Sequence, residues 1–164
     1  MTPEIEITVA PAFDWGTASE ILMDVVKWLN EKGEPLWTEE QVSVEGLKSS
    51  HRIEESFIAQ QKNKPVGCML LLESDPYFWP EIEDDSSLFL HKLAVLRELK
   101  GKGIGNQMLD WASQYAKRQG KSWLRLDCDG GRPKLRQIYE SFGFSLVDRK
   151  PLDEFDSARY EIRV

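Results

Sequence analysis

Polar and apolar residues alternate from Glu4 to Ala10, with Ile5, Ile7 and Val9 on one side, the two-residue period of a half-buried strand. Asp14 and Thr17 then precede Ile21, Leu22, Val25, Val26 and Leu29, a helical stripe that predicts an amphipathic helix ending near Gly33 and stopped by Pro35. Thr38 to Ser50 is more polar and predicts one or two short helices, with Ser43 as N-cap and Val44 and Leu47 as anchors. Phe57 to Gln61, the turn Lys62-Asn63-Lys64-Pro65 and Val66 to Glu73 predict a hairpin whose second strand, CMLLL, is covered on both faces.

The segment from Ser74 to Ser87 is too long for a simple connection and carries Tyr77, Phe78 and Trp79 beside Asp75, Glu81, Glu83, Asp84 and Asp85. Leu88 to Val95 reads as a further strand. A glycine-rich run follows, then a helix with the stripe Ile104, Met108, Trp111, Ala112 and Tyr115, closed by Gly120. Trp123, Leu124 and Leu126 lead a strand into Asp127-Cys128-Asp129, and Pro133 opens a helix whose face is Leu135, Ile138, Tyr139 and Phe142, with Gly143 as its cap. Phe144 to Val147 and Phe155 to Val164 give two closing strands. A strand, helix, strand run from 88 to 128 needs a right-handed crossover, so its two strands are predicted parallel, in a mixed sheet that carries helices. The class is α/β (α+β), in one domain spanning 1–164.

Composition narrows the function classes. A chain of 164 residues, 41% hydrophobic and 30% charged, suits one domain with its own core. Twenty-one basic against 28 acidic residues give a net charge of −7, which argues against nucleic acid or an anionic membrane as partner and tilts toward a small cationic molecule. Cys68 and Cys128 form no CxxC and stand near no histidine at zinc spacing, so neither a disulfide framework nor a metal site is expected. No apolar run reaches membrane-helix length, and MTPEIEITVA lacks the marks of a signal peptide, so a cytoplasmic location is expected. Oligomeric state stays open, a homodimer included.

Lys100-Gly101-Lys102-Gly103-Ile104-Gly105-Asn106 opens a helix right after a strand. Free amides at a helix start, backed by the helix dipole and two lysines, predict a phosphate site. A P-loop is ruled out because no Gly-Lys followed by Ser or Thr occurs at the required spacing. A dinucleotide fingerprint fails too: its third glycine would fall on Asn106 or Met108.

LHKLAVLRELKGKGIGNQML resembles the signature of the GCN5-related N-acetyltransferase (GNAT) superfamily, a strand ending in LAV and then (Gln/Arg)-x-x-Gly-x-(Gly/Ala). Gly103 and Gly105 match its last two positions, while Lys100 stands where Gln or Arg is usual. DCDGGRPKLRQIYESFGF resembles the family's second motif, with Tyr139, Gly143 and Phe144 in register, Arg132 at the usual Asn position and Leu135 at the Ala position. The resemblance covers nearly the whole chain. It implies a central mixed, mostly antiparallel twisted sheet of six to seven strands with about four helices, and acetyl-CoA (coenzyme A) as cofactor. It also implies that residues 100–106 hold the pyrophosphate, and that Arg132 and Leu135 line the cofactor. The backbone of Leu93, Ala94 and Val95 would pair with the pantetheine arm, and Tyr139 would donate a proton to the CoA sulfur.

Amide formation from a thioester needs a deprotonated amine, donors for the developing oxyanion and a proton for the thiolate. Tyr139 suits the acid, with a core tyrosine as the plainer reading. His91 is the candidate base: strand alternation puts it on Leu93's face, and arylalkylamine acetyltransferases of the superfamily carry a histidine at the matching place in a similar LHxLAV run. Asp127 and Asp129 compete as bases, as holders of the acceptor's ammonium or as turn caps. Cys128 is a conceivable acyl acceptor and, more simply, a buried strand residue. Trp37 and Trp79, with Tyr77 and Phe78, are candidate walls of an amine pocket through cation-π contact. The expected activity is direct transfer, in a ternary complex, of an acetyl group to a primary amine of a small, cationic molecule. A polyamine, an amino-acid-like metabolite, an aminoglycoside and a protein amine all fit. The other reading is an acyl-CoA-binding regulatory module without turnover.

Overall fold

The structure, a computed structural model, describes residues 6–164. Its elements run β1 (Thr8–Pro11), α1 (Trp15–Glu31), α2 (Glu39–Val42), α3 (Val44–Ser50), β2 (Ser56–Gln61), β3 (Lys64–Leu72), β4 (Ser87–Val95), α4 (Ile104–Arg118), β5 (Trp123–Asp129), α5 (Pro133–Phe142), β6 (Ser145–Leu152) and β7 (Phe155–Arg163). Hydrogen bonding orders the seven strands β1-β2-β3-β4-β5-β7-β6. The β4–β5 pair is parallel, and β1–β2, β2–β3, β5–β7 and β6–β7 are antiparallel, so the sheet is mixed. By their internal contacts the described residues group into two compact units, 6–70 with Lys92–Met108 and Leu71–His91 with Leu109–Val164.

In the first unit the Asp14 carboxylate accepts the Gly16 N–H and starts α1, whose stripe Ile21, Leu22, Val26 and Leu29 is at most 2% exposed. Burying such side chains contributes roughly 1.5–3 kcal/mol each. Helix α1 packs on α2, α3 and β2. Thr38 and Gln41 form a capping box on α2, and Ser43 caps α3 through the Gly46 N–H, the role its position implied. The β2–β3 hairpin is tighter than its sequence suggested: Gln61 pairs with Lys64, leaving Lys62 and Asn63 as a two-residue turn with positive φ at both. Strand β1 begins at Thr8, so Glu6 and Ile7 of the predicted strand precede it, and Glu4 and Ile5 lie outside the described residues. The Ile7 N–H goes to the Gln107 side chain, at 3.3 Å, instead of into a strand ladder.

The second unit is built around β5. Its parallel register with β4 runs from Ser87↔Trp123 to Leu90↔Leu126, and its antiparallel register with β7 from Trp123↔Arg163 to Asp129↔Ser157. Pro133 starts α5, and Gly143, at φ 125°, ends it while the Phe144 N–H bonds back to the Tyr139 carbonyl. Strand β6 begins at Ser145, one residue later than predicted. Among the described residues no helix is long and apolar enough to cross a membrane.

Candidate active site

The glycine run lies between a 3₁₀ turn at Arg97–Leu99 and the start of α4. Gly101 and Gly103 take φ of +80° and +84°, a left-handed backbone that other residues adopt only at a cost. The Gln107 N–H closes the first helical turn on the Gly103 carbonyl, so the amides of Ile104, Gly105 and Asn106 have no acceptor within the helix. A Cβ added at Gly101 or Gly105 would meet no atom within 4 Å. Open space, helix-start amides and the lysines at 100 and 102 together fit a diphosphate. Beside the loop, Trp28 of α1 has three cations over its ring: Arg97 at 3.5 Å, Lys32 at 4.3 Å and Lys100 at 5.1 Å.

In the second unit, strand register creates a juxtaposition. One step beyond the last parallel pair, Leu90↔Leu126, come His91 and Asp127. Asp75, from the loop after β3, joins them, its Oδ2 lying 2.7 Å from His91 Nε2. The three residues each place a donor atom within 4.8 Å of the other two. At 2.7 Å the His91–Asp75 contact is a direct hydrogen bond.

Tyr139 occupies the inner face of α5, 8% exposed, its ring edge-on to Phe144 and 6.2 Å from Tyr160. The two phenols differ. Tyr160 accepts from Arg136 Nε at 2.9 Å and donates to Glu140 at 2.8 Å, whereas the Tyr139 hydroxyl has no hydrogen-bond partner among the described residues. Burial, aided by Cys128 and Asp127, pushes the Tyr139 phenol well above its usual range, so it stays protonated.

The family model for GNAT acetyltransferases matches residues 22–144, three quarters of the chain. The chain belongs to the acetyltransferase (GNAT) family. A similar curated relative is the uncharacterised N-acetyltransferase YesJ of Bacillus subtilis (strain 168), 25% identical over 133 residues that cover 77% of this chain and 74% of that protein. A GNAT-family acetyltransferase structure from Listeria monocytogenes 4b F2365 has the same fold, with a TM-score of 0.80 at 22% identity over 98% of this chain and 96% of that one. The PaiA N-acetyltransferase of Thermoplasma acidophilum, solved in complex with coenzyme A, gives 0.73 at 18% identity over 97% and 99%.

Against this GNAT frame, several predicted site residues find different surroundings. Lys92 has φ +50°, which breaks the extended run of β4, so alternation does not carry from His91 to Leu93 and the two are not placed on one face by it. Trp79 does not wall an open pocket: it is 1% exposed, packed near Phe89 and covered by the guanidiniums of Arg159, 4.4 Å away, and Arg125, 5.5 Å away. The Asp129 carboxylate caps its own turn, accepting the Gly131 N–H at 2.9 Å. Arg132 is the α5 N-cap residue without a side-chain cap bond, and Leu135 is half-buried one turn before Tyr139. Ala94 is buried, Leu93 and Val95 are half-buried, and Trp37 is half-buried in the segment before α2. Cys128 is 6% exposed, its thiol pushed up to about 12 by burial first and by Asp127 second. Sequence reasoning missed Asp75 as a partner of His91, and missed Trp28 and Arg97 beside the glycine loop.

Proposed function

We propose that this GNAT domain, a single catalytic domain over 1–164, moves an acetyl group from acetyl-CoA to the primary amine of a small cationic molecule by direct attack in a ternary complex. The observation that carries this reading is His91 beside Asp127 at one register step of β4 and β5: an imidazole able to take a proton next to a carboxylate able to hold an ammonium. The cofactor supplies the activated thioester. Lys100, Gly101, Lys102, Gly103, Ile104, Gly105 and Asn106 would hold its diphosphate, with Arg132 and Leu135 along its length and the backbone of Leu93, Ala94 and Val95 on its arm. His91 takes a proton from the acceptor's ammonium, Asp127 balances that charge, and Tyr139 gives its proton to the departing thiolate. Trp37, Tyr77 and Phe78 remain aromatic candidates for the acceptor. The protein acts in the cytoplasm, where its two buried thiols stay reduced.

Thermal unfolding with acetyl-CoA, CoA and NADH tests the cofactor half, since a ligand at 100 times its Kd stabilises by about 2.7 kcal/mol. Stabilisation by both acyl carriers and not by NADH supports the reading; a response to NADH alone would sink it. Thiol release with a panel of spermine, tyramine, kanamycin and a lysyl peptide tests the acceptor half. Cofactor stabilisation without release by any amine would favour a binding module instead.

A further inference from the structure

Asp75 and His91 stand 16 residues apart in the chain and meet across the loop that begins with Ser74. Their side chains are 7% and 17% exposed. The other carboxylate oxygen of Asp75 accepts the Phe78 N–H at 3.2 Å, and the Asp75 carbonyl accepts the Trp79 N–H at 2.8 Å, so the chain after Pro76 is wound around this residue. The Phe78 ring lies 6.0 Å from the imidazole, tilted 44° to it. A carboxylate has only acceptors to offer, so the proton of the neutral imidazole sits on Nε2, facing Asp75, and the lone pair is left on Nδ1. Nδ1 has no hydrogen-bond partner among the described residues.

We propose that Asp75 is a positioning residue for the transfer: it holds His91 in the Nε2–H tautomer, so that Nδ1 is the atom that takes the acceptor's proton. The inference rests on His91 being the base. One N–H bond of the acceptor's ammonium breaks as the Nδ1–H bond forms, and the freed nitrogen pair attacks the thioester carbonyl; as the C–S bond breaks the departing thiolate takes the Tyr139 proton, and the second proton of the new amide nitrogen restores the phenol. The imidazolium then carries both protons, with Nε2–H still on Asp75, which remains a carboxylate throughout.

Nitrogen-15 NMR of the imidazole at pH 9 reads the tautomer in the wild-type protein without any acceptor. The expected signal is a protonated Nε2 and a bare Nδ1; a protonated Nδ1 would overturn the proposal. Asp75→Asn keeps an oxygen for the Phe78 N–H but turns an amide N–H toward Nε2, which moves the ring proton to Nδ1 and removes the base. With the best amine of the panel, its kcat should fall about 100-fold at unchanged KM for acetyl-CoA, the size of a lost general base. His91→Gln should fall by a similar factor. A D75N enzyme at the wild-type rate beside a slow H91Q would overturn the positioning role alone. An H91Q enzyme at the wild-type rate would overturn the base reading and this inference with it.

Discussion

Arg159 holds Asp148 by a two-pronged bridge, Nε to Oδ1 at 2.8 Å and Nη2 to Oδ2 at 2.7 Å. The same guanidinium donates to Glu81 and to the Phe78 carbonyl, so a β7 side chain pins the loop that carries Asp75. Replacing Arg159 with Met should destabilise the protein by about 2 kcal/mol in urea unfolding. A fully buried pair would cost more, about 3–5 kcal/mol, but water recovers part of the loss at carboxylates. The Asp148 and Glu81 side chains are 39% and 48% exposed.

That difference should depend on pH. The hydrogen bond from Arg159 holds the Asp148 carboxyl below its usual range, against the opposing effect of burial. A carboxyl with a depressed folded-state pKa contributes stability above its unfolded value, near 3.9, and loses it as pH falls through the folded one. The gap between wild-type and R159M proteins should therefore be constant above about pH 5 and narrow below about pH 4, as read from urea midpoints across that range.

Tyr139→Phe removes a hydroxyl that has no hydrogen-bond partner among the described residues and leaves the ring in place against Phe144. The expected result is a melting temperature within about 1–2 °C of wild type and a kcat lowered about 100-fold, at unchanged KM for acetyl-CoA. Because burial raises the phenol's pKa, Tyr139 should add no alkaline limb to the rate profile below about pH 10. A Y139F enzyme at full rate would remove Tyr139 from the acid's role.

Gly105→Val places two methyl groups in space where an added Cβ meets nothing within 4 Å. The unliganded protein should melt at or slightly above the wild-type temperature, since Val is a better helix former than Gly. Its stabilisation by acetyl-CoA should be lost, with at least a tenfold weaker Kd by calorimetry. An unchanged Kd would mean that the diphosphate lies elsewhere.

Cys128→Ser separates direct transfer from an acyl-enzyme route. The thiol is pushed up to about 12, so almost none is thiolate at neutral pH. Turnover should stay within about threefold of wild type, and intact-mass spectrometry of the wild-type enzyme with acetyl-CoA alone should show no 42 Da adduct on Cys128.

Elements with a strong period are legible in the sequence: the α1 stripe, the β2–β3 hairpin, the parallel pair β4 and β5, and α5 between Pro133 and Gly143. The glycine run announced its backbone because only glycine takes φ near +80° without cost. Hidden features came from tertiary contact. Nothing in Ser74-Asp75-Pro76 says that a loop carboxylate will meet an imidazole on the next strand. Trp79 looked like a loop aromatic open to ligand, and it is core because Arg125 of β5 and Arg159 of β7 lie over its ring. Lys92 carries a left-handed backbone that no local signal in a lysine predicts, so strand alternation does not fix where His91 stands relative to Leu93.

The pinning of the Asp75 loop by Arg159 has a meaning for how such a protein can diversify. Arg159 belongs to a strand laddered on both sides, by β5 and by β6, so the loop borrows its rigidity from the sheet rather than from its own tip. Exposed tip residues such as Glu83 and Asp85 carry none of that anchorage in their side chains. Descendant sequences can therefore exchange them, and with them the chemistry offered to an incoming molecule, while the histidine stays held where it is.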